Sequence, residues 1–281
     1  MTSVEEITKL QEISFELRKS VIKMLTHAKS GHAAGSLGMA DIFAALYFKF
    51  LNINPKNPYE LNRDRLILSN GHICPVLYAS MSKKGFFPEE ELLTFRQIDS
   101  RLQGHPHNTS LPGVENSSGP LGQGISFGVG VAMNAQITNY KYKTFILGSD
   151  GELNEGQSWE AIMLAGARKI PGLILIIDKN NIQISGKTQE ILDLDPLNEK
   201  FESFGWYVLE IDGNNMEEIY LAISKSVTII SKPVVIIANT IPGFGVDFME
   251  YKFEWHGKPP SESEAKLAIE SLEKNYKNEK K

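Results

Sequence analysis

The chain has 281 residues, 42% hydrophobic and 22% charged, the make-up of an ordinary soluble protein long enough to bury a substantial core. Its formal net charge of −5 argues against nucleic acid as the main partner, because neutralising phosphates needs a basic face. Cys74 is the only cysteine, which excludes an internal disulfide and a cysteine-based zinc site and fits a reducing, cytoplasmic setting. No stretch has the apolar length of a membrane span, and MTSVEEITKL lacks the basic and apolar regions of a secretory signal.

Ser3 and Glu6 have the spacing of a capping box, and Ile7, Leu10, Leu17, Val21, Met24 and Leu25 recur at helical intervals, so a long helix opens the chain. SGHAAGSLG (30–38) breaks it, and a second helix is expected through Ile42, Leu46 and Phe50. Continuous apolar runs bounded by turn residues follow at 65–69, 144–148, 172–178, 206–212 and 233–239. Such runs suit parallel strands buried on both faces. Helical patterns lie between them at 74–84, 121–139, 153–169, 196–204 and 215–228. The alternation predicts an α/β fold, a doubly wound, mostly parallel sheet with its ligand chemistry at the carboxyl ends of the strands. Residues 97–120 fit no element; a loop that long is usually functional. From Ser261 the chain reads as a helical tail ending in the lysine-rich KNEKK.

Four of the six histidines sit in glycine-rich breaks: His32 in SGHAAG, His72 in SNGHICP, His105 in QGHPH and His256 in EWHGKPP. Their spacing is too wide for a local zinc motif and suits dispersed contacts to one polar ligand. GPLGQG (119–124) opens a helix without the glycine order of a dinucleotide fingerprint, which leaves a turn or an anion cradle. Asp150, after the run TFILG, and Asn180, after LILIID, stand thirty positions apart. Two parallel strands joined by one crossover helix place their carboxyl ends side by side. Singly, each residue reads as a turn or strand-end residue. The pair offers a carboxylate and an amide oxygen to a hard cation such as Mg2+, which in turn attracts a phosphate.

SGH, SNGH, GHP, GPLGQG, DG followed by GQSWEA, and HG, in that order, resemble the transketolase family, and the Asp150-Gly151…Asn180 spacing resembles its diphosphate and metal motif. The resemblance runs from about residue 10 to residue 260. It implies that Asp150, Asn180 and the backbone carbonyl of Ile182 hold Mg2+ or Ca2+. It implies thiamine diphosphate contacts at His72, Gly119, Leu121, Gly151, Asn180 and His256. It places His32, His105 and His256 toward the cofactor's reactive carbon and the sugar. Glu155 matches a carboxylate near the dimer axis, and the neighbouring acids Glu152 and Glu160 read as helix-face charges. Three positions depart from the pattern: Ser149 replaces the motif's first glycine, Ala33 a proline, and His107 stands near where an acid is common.

Residues 1–260 then form the diphosphate- and metal-binding domain, with 261–281 a tail. The pyrimidine-binding and C-terminal domains of single-chain members are expected on a separate partner subunit. The resemblance implies the N-terminal subunit of a split transketolase, a two-plus-two heterotetramer of the pentose phosphate pathway. Its reaction is transfer of a two-carbon ketol unit from a ketose phosphate to an aldose phosphate. The resemblance places the sugar-phosphate clamps largely on the partner, and the chain's six arginines agree with that. The alternatives are a specialised transketolase, a subunit of the deoxyxylulose phosphate synthase or oxo-acid dehydrogenase type, and a non-catalytic cofactor-binding subunit.

Overall fold

A computed structural model describes residues 3–279. Helix α1 (Ser3–Ala28) buries the stripe Leu10, Leu17, Val21, Met24 and Leu25. The capping box turns on the Ser3 side chain, which lies outside the described residues. The break after α1 is confined to residues 29–33. The single second helix expected through Phe50 is instead α2 (Ala34–Gly38), α3 (Ala40–Ala45) and a π-helical turn over Leu46–Phe50. Residues 33–47 are buried throughout, so packing overrides periodicity. A Cβ on Gly38 would come within 2.9 Å of the Ile241 carbonyl oxygen, showing how closely backbone meets backbone there.

The strands are β1 (Arg65–Leu68), β2 (Thr144–Ser149), β3 (Leu173–Lys179), a small hairpin of β4 (Ile182–Gln183) and β5 (Gly186–Lys187), β6 (Tyr207–Asp212) and β7 (Val234–Asn239). Five of them form one parallel sheet in the order β1-β2-β3-β7-β6. The remaining helices are α4 (Cys74–Lys84), α5 (Gln123–Thr138), α6 (Gly156–Ala167), α7 (Thr188–Leu192), α8 (Leu197–Ser203), α9 (Met216–Ser226) and α10 (Glu262–Glu279).

Alternation along each strand feeds two cores. Leu173, Leu175 and Ile177 pack with residues of α5, α6 and α8, whereas Ile174 and Ile176 pack with α1, α3, α4 and α9. Both faces are covered, which is why the strands are continuously apolar in sequence. The chain leaves β1 toward the α4 face and leaves β2, through α6, toward the other. Opposite departures from neighbouring strands open a crevice at their carboxyl ends.

Residues 97–120 form no helix or strand, yet they are tied down. The Asn116 amide accepts from the Leu68 N–H (3.2 Å) and donates to the Leu68 carbonyl (3.1 Å), Arg63 pairs with Glu115, and the Tyr78 hydroxyl donates to the Gln103 carbonyl (2.8 Å). The loop therefore lies along β1 and brings His105 over the crevice. Helix α10 starts with a reciprocal cap between Ser261 and Glu264 (2.8 and 3.3 Å) and stacks Tyr276 on Phe15 of α1, with ring centroids 4.4 Å apart. Lys280 and Lys281, the last two residues of KNEKK, lie outside the described residues. No helix among the described residues is long and apolar enough to cross a membrane.

Candidate active site

Each of the four loop histidines follows a different element: His32 the end of α1, His72 the end of β1, His105 lies in the long loop, and His256 comes after β7. The fold brings them together. The His32 ring centroid lies 5.1 Å from His72, 5.6 Å from His256 and 6.3 Å from His105, and His72 is 5.0 Å from His256. Two glycines permit the convergence. A Cβ on Gly71 would fall 2.3 Å from the Ser118 hydroxyl, and Gly119, with φ near +151°, carries the loop past the His105 ring.

Burial pushes all four imidazoles below the ordinary value of 6.5. His32 is pushed down to about 4, by burial first and then by His256, Arg96 and His105. His72 is driven well below, by burial and then the neighbouring histidines. At neutral pH the cluster is therefore uncharged, and each ring offers one donor and one acceptor.

The acidic side of the crevice comes from β2 and β3. Ser149 pairs with Asp178 in register, and the Asp150 N–H donates to the Asp178 carbonyl (3.1 Å), so Asp150 is the first residue beyond the sheet. Its Oδ1 accepts from the Gly151 N–H (2.8 Å), and its Oδ2 accepts from the Asn181 N–H (2.8 Å) and the Thr188 hydroxyl (3.4 Å). Burial, then the nearby Asp178 charge, raises the Asp150 carboxyl to about 7 against those hydrogen bonds. The Asn180 amide nitrogen donates to Asp178 Oδ2 (2.9 Å), which sets its oxygen on the opposite side, where it accepts from the Ile182 N–H (3.0 Å). Asn181 (φ 60°) turns the chain into the β4–β5 hairpin, so Ile182 is buried beside Asn180.

Asp150 and Asn180 thus bring a carboxylate and an amide oxygen to the ends of β2 and β3, groups of the kind a hard divalent cation takes. Among the described residues neither Asp150 nor Asp178 is in an ion pair, and Lys179, which lines a small cavity with Asp150, pairs with Asp195 (2.8 Å). No group of three or more His, Cys, Asp or Glu among the described residues is placed to hold a metal. The rest of the crevice fits a polar ligand. His32 Nδ1, both polar atoms of the Asn70 amide and the Ser118 hydroxyl are buried without a partner among the described residues. Each such group costs about 1–3 kcal/mol until something pairs it.

Of the other expected contact residues, the Leu121 carbonyl accepts from the Gln157 amide (3.1 Å), and a Cβ on Gly151 would touch Gln183 (3.1 Å). The Ser149 hydroxyl accepts from the Glu152 N–H (3.4 Å) and is thus tied into the turn. Glu155 and Glu160 are exposed. Glu152 is not the helix-face charge expected. It is fully buried in the turn Gly151–Asn154, where Oε1 accepts from the Ser69 hydroxyl (2.5 Å) and the Gly122 N–H (2.6 Å). It thereby ties the end of β1 and the start of α5 to the end of β2, and burial raises its pKa. Sequence reasoning also misses Asp178 and Thr240, whose hydroxyl donates to Asp178 Oδ1. A carboxylate inside an apolar strand run is the signal that could have found them.

The family model described as "Transketolase, thiamine diphosphate binding domain" matches residues 11–279. The 6-deoxy-6-sulfo-D-fructose transketolase subunit SqwG of Clostridium sp. (strain MSTE9) is 40% identical over 94% of this chain and 98% of its own length. One of the subunits of the apulose-4-phosphate transketolase of Phocaeicola vulgatus is 37% identical over 98% of each chain. The crystal structure of transketolase from Campylobacter jejuni superposes with a TM-score of 0.89 at 39% identity, covering 94% of this chain and 42% of that one. The chain thus spans less than half of that solved transketolase and nearly the whole of the two subunits. It belongs to the transketolase family and represents that family's thiamine diphosphate-binding domain.

Proposed function

We infer that the chain is the N-terminal subunit of a two-chain transketolase that moves a two-carbon ketol unit between sugar phosphates. The observation that carries this reading is the convergence of four neutral histidines from four separate segments, in a chain whose Asp150 and Asn180 stand at the carboxyl ends of β2 and β3. Asp150, Asn180 and the Ile182 carbonyl would hold Mg2+ or Ca2+, and the metal would anchor the diphosphate. His72, Gly119, Leu121, Gly151, Asn180 and His256 would line the cofactor. Bound thiamine diphosphate supplies the carbon nucleophile that breaks and remakes the ketose carbon–carbon bond.

The protein's share is positioning and proton handling. His32, His105 and His256, kept neutral by burial, can donate to a substrate oxygen or accept a hydroxyl proton, and His32 Nδ1 is free of any other partner among the described residues. Asp178 holds the Asn180 amide in the orientation that presents its oxygen.

Assembly completes the site on this reading. Phe127 of α5 (47% exposed) and Met163 and Leu164 of α6 (44% and 42%) are exposed apolar side chains on two helices that pack together. Glu155 immediately precedes α6. Such side chains suit burial in a two-plus-two heterotetramer, with the partner supplying the pyrimidine-binding domain. The cytoplasm and the pentose phosphate pathway are the setting this implies. The test is to assay the chain alone with thiamine diphosphate, Mg2+, a ketose phosphate and an aldose phosphate, then add the partner subunit. Transfer only after addition is expected. Full transfer by the chain alone overturns the two-chain reading, and none in either case overturns the activity.

A further inference from the structure

His32 and His105 reach the cluster on separate segments, and one side chain joins those segments. Arg96 Nη1 donates to the Ser30 hydroxyl (2.7 Å), two residues before His32, and Nη2 donates to the Gly104 carbonyl (3.3 Å), immediately before His105. The Arg96 N–H donates to the Leu102 carbonyl (3.0 Å), which closes the intervening residues on themselves. The buried Phe95 ring adds a contact on the same segment as Ser30, since a Cβ on Gly31 would stand 3.1 Å from it.

The fit is close. A Cβ on Gly104 would fall 2.5 Å from Arg96 Nε and 2.9 Å from its Cζ, so only a glycine lets the backbone lie against the guanidinium. The Gly104 carbonyl also accepts from the Cys74 thiol (3.2 Å), which fixes the same peptide from α4. Arg96 takes φ 59°, in the left-handed region that residues other than glycine rarely adopt. No carboxylate is among its hydrogen-bond partners in the described residues, and its Nε is buried without a partner. Both arms go to neutral acceptors, each beside a cluster histidine. A rigid fork used in this way fixes the spacing of two segments rather than neutralising a charge.

We propose that Arg96 is a positioning residue for ketol transfer: its guanidinium spaces the segments that carry His32 and His105 and holds the two rings at their 6.3 Å separation. The assignment rests on the ketol-transfer reading above. The test uses the enzyme assembled with its partner, thiamine diphosphate and Mg2+. Arg96→Met should lower kcat about a hundredfold, the effect of a misplacement of about 1 Å, while donor KM and cofactor affinity change less than about threefold. Arg96→Lys, with one ammonium for two acceptors, should recover about tenfold of that loss. Gly104→Ala, whose methyl displaces the guanidinium, should match Arg96→Met. The double variant should stay within about twofold of either, because removing the guanidinium makes room for the methyl. In a His105→Ala enzyme, Arg96→Met should lower kcat by a factor at least about fivefold smaller than in the wild type. Equal factors in the two backgrounds, or a loss confined to stability or cofactor affinity with kcat intact, overturn the proposal. If Arg96→Met does not fold, Gly104→Ala decides, and an unchanged kcat there overturns it too. Failure of the wild-type assembly to transfer from any donor overturns the underlying reading instead.

Discussion

Two buried polar networks lie at the carboxyl end of the sheet, and they are finished to different degrees. On the β6–β7 side, Arg18 and Asp41, each about 5% exposed, face one another. Arg18 also donates to the Leu37 carbonyl (3.1 Å) and the Ser14 hydroxyl (3.2 Å), and the Asn214 amide donates to both Asp41 (3.1 Å) and the Gly38 carbonyl (2.8 Å). Every charge there meets its opposite. On the β1–β2–β3 side, Asp150 and Asp178 are as deeply buried and in no ion pair among the described residues, and His32, Asn70, Ser118 and Glu152 each leave a polar atom unpaired. The desolvation penalty is of the same kind in both. The first network meets it from within the chain and so has a structural role. The second is the unfinished half of an interaction, which is what a binding site is before its ligand arrives.

Replacing Asp150 strikes that contrast hardest. Asp150→Ala should weaken metal-dependent thiamine diphosphate binding by about 10⁴-fold, near 5.5 kcal/mol, because it removes the single carboxylate of the donor set. The stability of the cofactor-free chain should fall by no more than about 1–3 kcal/mol, since the Gly151 and Asn181 N–H groups and the Thr188 hydroxyl lose their acceptor while a buried carboxyl in no ion pair is removed. Calorimetry of the assembled enzyme checks the first part and denaturant titration of the cofactor-free chain the second; unchanged cofactor affinity removes Asp150 from the site.

The mirror experiment is Asp41→Ala. It leaves Arg18 buried beside nothing of opposite charge and should cost about 3–5 kcal/mol of stability. Cofactor affinity of the folded fraction should hold. Urea unfolding followed by circular dichroism reads the first. A loss below about 1 kcal/mol would mean that the paired network is not what holds α1 to α3.

The smallest effect concerns pH. The folded pKa of His32, about 4, lies below the unfolded value near 6.5, so the unfolded chain takes up this proton first as pH falls. The stability contribution is complete above 6.5 and is lost as pH falls toward 4. Asp150, Asp178 and Glu152, with raised pKa values, act in the opposite sense, so the useful quantity is a difference between variants. His32→Gln should gain on the wild type as pH falls from 6.5 to 4, by roughly 1 kcal/mol allowing for its partial exposure, or about 2–4 °C in melting temperature. A difference independent of pH would place a charged His32 in the folded chain.

The legibility of these features in the sequence followed how local their causes are. The five sheet strands were readable to within a residue or two at either end because burial on both faces leaves a continuous apolar run. The cluster histidines and the Asp150–Asn180 spacing were readable as motifs, and their order carried the family resemblance. What escaped depends on partners far along the chain. Asp178 looks like the end of LILIID until Thr240, sixty-two residues on, supplies its hydrogen bond. Glu152 looks like a first-turn acid until Ser69 and Gly122 close around it. The region from Ala34 to Tyr47 lost its expected regularity because burial on every side leaves no amphipathic period to follow.

Asn116 has a different consequence. Strand β1 is an edge of the sheet, and a parallel edge normally offers free N–H and C=O groups to any extended segment that drifts alongside. The Asn116 side chain occupies both such groups of Leu68, taking the place a neighbouring strand's peptide would fill. One amide therefore closes this border to strand addition. Changing it to leucine should leave the crevice in place but make the purified chain prone to side-by-side association.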